Sequence, residues 1–346
     1  MKFTSLLLAA IVTGLFSHAA IAVEESAFVQ SLVPGPYILP SDEGSWTWGM
    51  APIYDEKGKV HVFNSVIPNR DQGGDWKKNS KIVHWVADRP EGPYTLLGDV
   101  FVSDQASYHN PQISKVGDTY VLVFLLNRHQ DENGSKQEVG IATAKSLQGP
   151  WTESPHNPIL RATQENGQHA SNPSFVVAPD GKFRIYHKTM TTVDGEIFRE
   201  ISLATSDHIE GPYTMTKENP VLSYAKQKLD IEDPYAFYYK GSYYMIVEDR
   251  QNVKGMLEGK PQGKARLGGF RPGLIYQSKD GIHWGLPKVG YQTNHLYYGH
   301  ELARSERPSI LWKNGEPEYL YLACHDDQPS AGYILKIDGW KGEVSK

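Results

Sequence analysis

Glu232 and Asp233 stand directly before Pro234, and Glu248 and Asp249 follow within the same short run, Asp230 to Asp249. Between the two acidic pairs lie aromatic-rich segments, Tyr235–Tyr239 and Tyr243–Val247, joined by Lys240-Gly241-Ser242. Aromatic and β-branched residues around a short Gly-containing turn predict a β-hairpin. A hairpin lays its two ends side by side, so as many as four carboxyl groups crowd one sheet edge. Neighbouring carboxyls push one pKa up while another stays low, which is the condition for acid/base chemistry. Glu306 and Arg307, before Pro308, repeat the pattern further on.

These residues belong to an internal repeat. Gly49-Met50-Ala51-Pro52, His109-Asn110-Pro111, Ser171-Asn172-Pro173, Glu232-Asp233-Pro234 and Glu306-Arg307-Pro308 each lead into an apolar strand, a turn and a second strand. A second repeat interleaves: Gly92-Pro93-Tyr94, Gly149-Pro150-Trp151 and Gly211-Pro212-Tyr213 follow alternating strands, with Gly281-Ile282-His283-Trp284 a looser copy. Four strands per period of about 60 residues predict propeller blades. The expected fold is therefore all-β, a five-bladed β-propeller. The fifth blade lacks an outer strand, and Gly35-Pro36-Tyr37 near the amino terminus supplies a spare copy. Residues ~35–42 are expected to close the ring and remove two open sheet edges.

Residues 1–22 read as a signal peptide: Lys2, an apolar stretch from Leu6 to Phe16, and the small-x-small site Ala20-Ile21-Ala22. The expected location is secreted or periplasmic, and residues 23–346 form one domain. Cys324 is the only cysteine, so the fold must rest on its own core. A formal net charge of −5 with no basic run argues against nucleic acid as partner, and no apolar run is long enough for comfortable membrane insertion. The 20 Tyr and 8 Trp suit a surface that meets sugars.

In a propeller the loop before each inner strand and the loop between second and third strands open on one face. The first group brings His109, Asn110, Asn172, Glu232, Asp233, Glu306 and Arg307 to a shared pocket; the second adds Arg70, Asp71, Asp75, Arg250 and His325. Trp48 and Trp76 lie near the same rim, and the segment with His300 leads into the fifth motif. His and Asn converging on the axis leave room for a structural metal there, although no zinc-type ligand spacing occurs. No other cofactor is expected.

The Pro motifs and Gly-Pro-Tyr turns resemble the five-bladed glycoside hydrolases of families 43 and 117, with families 32 and 68 more distant. The resemblance implies a hydrolase acting on a plant or algal oligosaccharide, exo in action, with carboxylates as acid and base. Family 43 places its general-acid Glu two residues before a Pro, ahead of a Tyr-rich hairpin, as Glu232 stands before Pro234. It also places Asp before the first- and third-blade Pro, where this chain has Ala51 and Asn172. Family 117 uses a His as proposed acid, for which the resemblance offers His300 or His109. Glu306, Asp233 and Asp71 complete the expected catalytic set. Two rival expectations remain from other classes: a non-catalytic sugar-binding propeller, and a polysaccharide lyase acting on a uronate.

Overall fold

The computed structural model describes residues 21–41, 44–70, 75–128, 136–260, 272–293, 297, 299, 302, 304–325 and 330–343. It holds five four-stranded antiparallel sheets. From the axis outward, blade 1 runs Trp46–Tyr54, Val60–Ile67, Lys81–Ala87 and Thr95–Asp99. Blade 2 runs Ala106–Val116, Thr119–Arg128, Glu138–Ala144 and Thr152–Glu153. Blade 3 runs Ser171–Val177, Phe183–Val193, Glu196–Ser206 and Thr214–Met215. Blade 4 runs Glu232–Tyr239, Ser242–Glu248, Gly273–Ser278 and Lys288–Tyr291. Blade 5 runs Arg304–Lys313, Glu316–His325 and Ala331–Ile337, and takes its outer strand from Leu32–Ile38.

The ring thus closes with the amino-terminal strand, as the repeat predicts. That strand starts earlier than Gly35 because Leu32 and Val33 continue the ladder against Ile337 and Lys336. Gly35 permits the approach: a Cβ there would lie 2.6 Å from the Ile334 carbonyl oxygen. Phe28 packs edge-on against Trp340 at 5.1 Å, fastening both ends of the chain to blades 4 and 5. Most of the expected signal peptide lies outside the described residues. Among those described, no helix is long and apolar enough to cross a membrane.

Every inner strand breaks its ladder with a bulge near its start. The residue at the break has positive φ in all five blades: Gly49 (48°), Asn110 (49°), Asn172 (51°), Asp233 (57°) and Arg307 (54°). A bulge re-aims side chains at a rim, and Gly, Asn and Asp accept this backbone region most readily. The match corrects the first motif. Ala51-Pro52 is not the counterpart of Asn110-Pro111; Gly49 is, and Trp48 stands where His109, Ser171, Glu232 and Glu306 stand. Pro52 misleads because it falls two residues further along the strand. At Gly49 a Cβ would meet the Asn110 Oδ1 at 2.8 Å. Gly49→Ala should therefore cost about 1–2 kcal/mol, read as a lowered denaturation midpoint with an unchanged slope; an unchanged midpoint would contradict the packing described.

Candidate active site

The five bulges build the floor of a pocket. Asn110 Nδ2 donates to Asn172 Oδ1 at 2.9 Å, and Asn172 Nδ2 donates to Asp233 Oδ1 at 2.6 Å. Arg307 closes the circuit: its NH1 donates to Asp233 Oδ1 at 3.2 Å, its backbone N–H to Asp233 Oδ2, and its NH2 reaches the Asn110 carbonyl at 3.4 Å. Gly49 leaves the room through which Arg307 and Asn110 meet. The axial position that the sequence offers to a metal is thus spanned by a guanidinium. These ring contacts hold Arg307 in a backbone region that ordinarily costs an L-residue about 1–2 kcal/mol.

Above the floor opens a cavity of about 390 Å³, into which Trp48, Trp76, His109, Asn110, Asn172, Glu232, Asp233, Arg250 and Glu306 all project, as the sequence expects. Glu232 receives three cations: Lys188 Nζ at 2.6 Å, Arg250 NH1 at 3.0 Å and Arg199 Nε at 3.1 Å. Burial pushes its carboxyl up, but Lys188, Arg199 and Arg250 together outweigh burial and hold it well below the usual carboxylate range. Asp230 accepts from the Arg199 backbone and guanidinium at 2.7 Å each and keeps that arginine in place. Glu232 is therefore ionised, and it is not a proton donor in this environment.

Glu306 is the opposite case. Its carboxyl accepts no hydrogen bond from a described residue, and its nearest cation, Arg304 NH1, is 3.9 Å away. Burial, followed by the Asp233 charge, pushes it up to about 7. Glu248 lies across the hairpin from Glu232, as the opening stretch predicts, and burial with the charges of Glu306 and Glu232 pushes it well above the ordinary range. Asp233 is raised by burial, against the pull of Arg307. One carboxylate oxygen from each of Asp233, Glu248 and Glu306 lies within 4.8 Å of the others. At such separations like charges cannot all ionise at low cost.

The other expected residues divide. His109 hydrogen-bonds Ser80 Oγ through Nδ1 at 2.7 Å and lies 5.0 Å from the Trp76 ring. Burial, with Arg307, Lys188 and Arg70 nearby, pushes it down to about 3, so it is a neutral imidazole and not a donor imidazolium. Asp75 turns its carboxylate to the Lys77 backbone N–H at 2.9 Å and caps the helix Trp76–Asn79; it does not line the cavity. The His325 ring lies 4.0 Å from that of Trp46, centre to centre, and does not line the cavity. Arg307 belongs to the floor. Asp249 caps the helix Val253–Leu257. Asp71 and His300 lie outside the described residues.

The sequence misses Lys188, Arg199 and Arg304. Lys188 and Arg199 come from the second and third strands of blade 3, where no loop signal marks them. Each strand is 11 residues long, and the excess length extends over the pocket.

No protein-family model and no curated protein matches the chain by sequence. Solved structures match it over nearly its whole length. Zg3597, a family 117 glycoside hydrolase from the marine bacterium Zobellia galactanivorans, superposes with a TM-score of 0.64 at 15% identity, covering 93% of this chain and 97% of its own. The fold is that of the five-bladed glycoside hydrolases. A thermostable family 43 glycoside hydrolase superposes with a TM-score of 0.60 at 12% identity, over 90% of this chain and 98% of that one. The Bacillus subtilis arabinanase Arb43A gives 0.54 at 14% identity, over 84% and 96%.

Proposed function

We propose that the protein is a glycoside hydrolase that removes sugar units from the end of a plant- or algal-derived oligosaccharide. The observation that carries this is two carboxyls of opposite environment in one cavity: Glu306, buried with its nearest described cation at 3.9 Å, and Glu232, held by Lys188, Arg199 and Arg250. Hydrolysis of a glycosidic bond needs a carboxylic acid to protonate the leaving oxygen and a carboxylate that either takes the proton of the water attacking the opposite face of the sugar or attacks that carbon itself. Glu306 supplies the first and Glu232 the second. Asp233 tunes Glu306: its charge is the largest neighbouring influence that keeps the Glu306 proton in place. Trp48 and Trp76 offer ring faces to the sugar, whose C–H groups stack on aromatic surfaces. The floor formed by Asn110, Asn172, Asp233 and Arg307 closes the cavity along the propeller axis, and removal of units from a chain end is the reading we take for such a pocket. The amino-terminal segment 1–22 supports secretion.

The pH dependence has a definite sign. A general acid must hold its proton, so kcat/KM should fall as pH rises through about 7, where Glu306 loses it. Release of reducing ends from a panel of plant and algal oligosaccharides, followed from pH 5 to 9 (roughly two pH units either side of that value), tests both points. Product from no member of the panel, or a rate that climbs through neutrality, would defeat the assignment.

A further inference from the structure

The cavity carries more positive charge than its carboxylates can use. Its described lining holds Arg70, Lys77, Lys188, Arg199, Arg250 and Arg304 against Glu232, Asp233 and Glu306, six cations to three acids, in a protein of formal net charge −5. Arg70 rests over the Trp46 ring at 5.4 Å and can be set aside. The remaining five still exceed the three acids, and one of the three is already spoken for: Asp233 is matched from below by Arg307 at 3.2 Å. Glu232 is shared among Lys188, Arg199 and Arg250, with Asp230 giving Arg199 a second partner and Glu248 lying 3.8 Å from Arg250. Glu306 keeps its proton below about pH 7 and neutralises nothing there. Cations that merely balanced a carboxylate cluster would not outnumber it.

Arg304 is the telling residue. Its guanidinium is 3.9 Å from Glu306, outside hydrogen-bond reach, and its side chain is 40% exposed. It stands two residues before Glu306 on the same strand, so both side chains leave the same face of the sheet. A guanidinium fork is shaped for bidentate capture of a carboxylate or sulfate. A concave wall of one sign also raises the local concentration of oppositely charged ligand.

We propose that the sugar taken by this pocket is anionic, its carboxylate or sulfate ester held by the Arg304 guanidinium within the field of Lys77, Lys188, Arg199 and Arg250. The proposal rests on the hydrolase reading only for the identity of the cavity as the sugar site. The anion falls on the sugar nearest Glu306, which makes Arg304 a specificity-determining residue.

Calorimetric titration of the full-length Glu306→Gln protein separates the alternatives, because it reads binding without turnover. The probes are oligosaccharide pools from pectin and alginate (uronates), from a sulfated algal galactan, and from neutral xylan and arabinan. An anionic pool should bind at least about tenfold tighter than the neutral pools, and salt should weaken it steeply. Adding Arg304→Gln should remove at least about tenfold of that affinity and leave neutral binding as it was, with Arg304→Lys intermediate. Whether the uronate or the sulfated pool binds identifies the anion. Preference for a neutral pool, salt-independent affinity, or no binding to any anionic pool overturns the proposal. If an anionic pool binds and the wild-type protein releases no reducing ends from it, the hydrolase reading falls and the anionic site stands. Ultraviolet absorbance of an unsaturated uronate would then point to a lyase acting at the same site.

Discussion

Glu306→Gln is expected to lower turnover by between about a hundredfold and ten-thousandfold, the usual worth of a positioned general acid, while the protein becomes more stable at neutral pH. The two effects share one cause. The folded protein holds the Glu306 proton up to about 7, above the value of the same group in the unfolded chain. Between those values the folded state binds more protons, so this group's contribution declines as pH rises through the interval and is fully lost above it. Glutamine keeps the neutral shape at every pH, which should recover on the order of 1–3 kcal/mol above neutrality. A substrate whose leaving group needs no protonation, such as an activated aryl glycoside, should be largely spared the rate loss. Near-normal turnover on natural linkages, or equal losses on both substrate types, would remove Glu306 from the acid role.

Glu232→Gln should be damaging in both respects. Lys188, Arg199 and Arg250 converge on this carboxylate at 2.6, 3.1 and 3.0 Å in a buried setting. Removing one partner of such a network costs roughly 3–5 kcal/mol, because the remaining charges are left without compensation. Activity should fall by at least about a hundredfold. The double variant Glu232→Gln with Lys188→Met distinguishes the two losses: it removes one surplus cation, so it should regain part of the melting temperature and none of the activity. Recovery of activity along with stability would reduce Glu232 to a structural counter-ion.

Much of this molecule can be read in its residues because the repeat is written in local signals. Pro directly after the bulge in blades 2 to 5 and Gly-Pro before the outer strand of blades 1 to 3 mark positions that only a few residue types tolerate, and five periods of this kind leave one architecture. The carboxylates are legible for the same reason, since Glu232, Asp233 and Glu306 stand at strand starts. The cations around them are not. Lys188 and Arg199 look like ordinary strand residues, and only the cross-strand pairing of Lys188 with Ile201 and of Arg199 with Met190 shows that they extend over the pocket. Spacing also misleads in blade 1, where Pro52 attracts the eye and Gly49 makes the bulge. Asp75 shows a further limit: an acidic residue in a rim loop serves a helix end as readily as a ligand.

The strand Leu32–Ile38 has a consequence for how the protein is made. The first residues of the fold to leave the ribosome must wait for the last, Ala331–Ile337, before their backbone groups find partners. Until then blade 5 is incomplete and the circle is a horseshoe with two raw ends. Synthesis must therefore have passed Ile337 before the molecule can latch shut, and a nascent chain that stalls anywhere short of blade 5 has no route to a complete pocket, since Glu306 and Arg307 arrive with that same sheet.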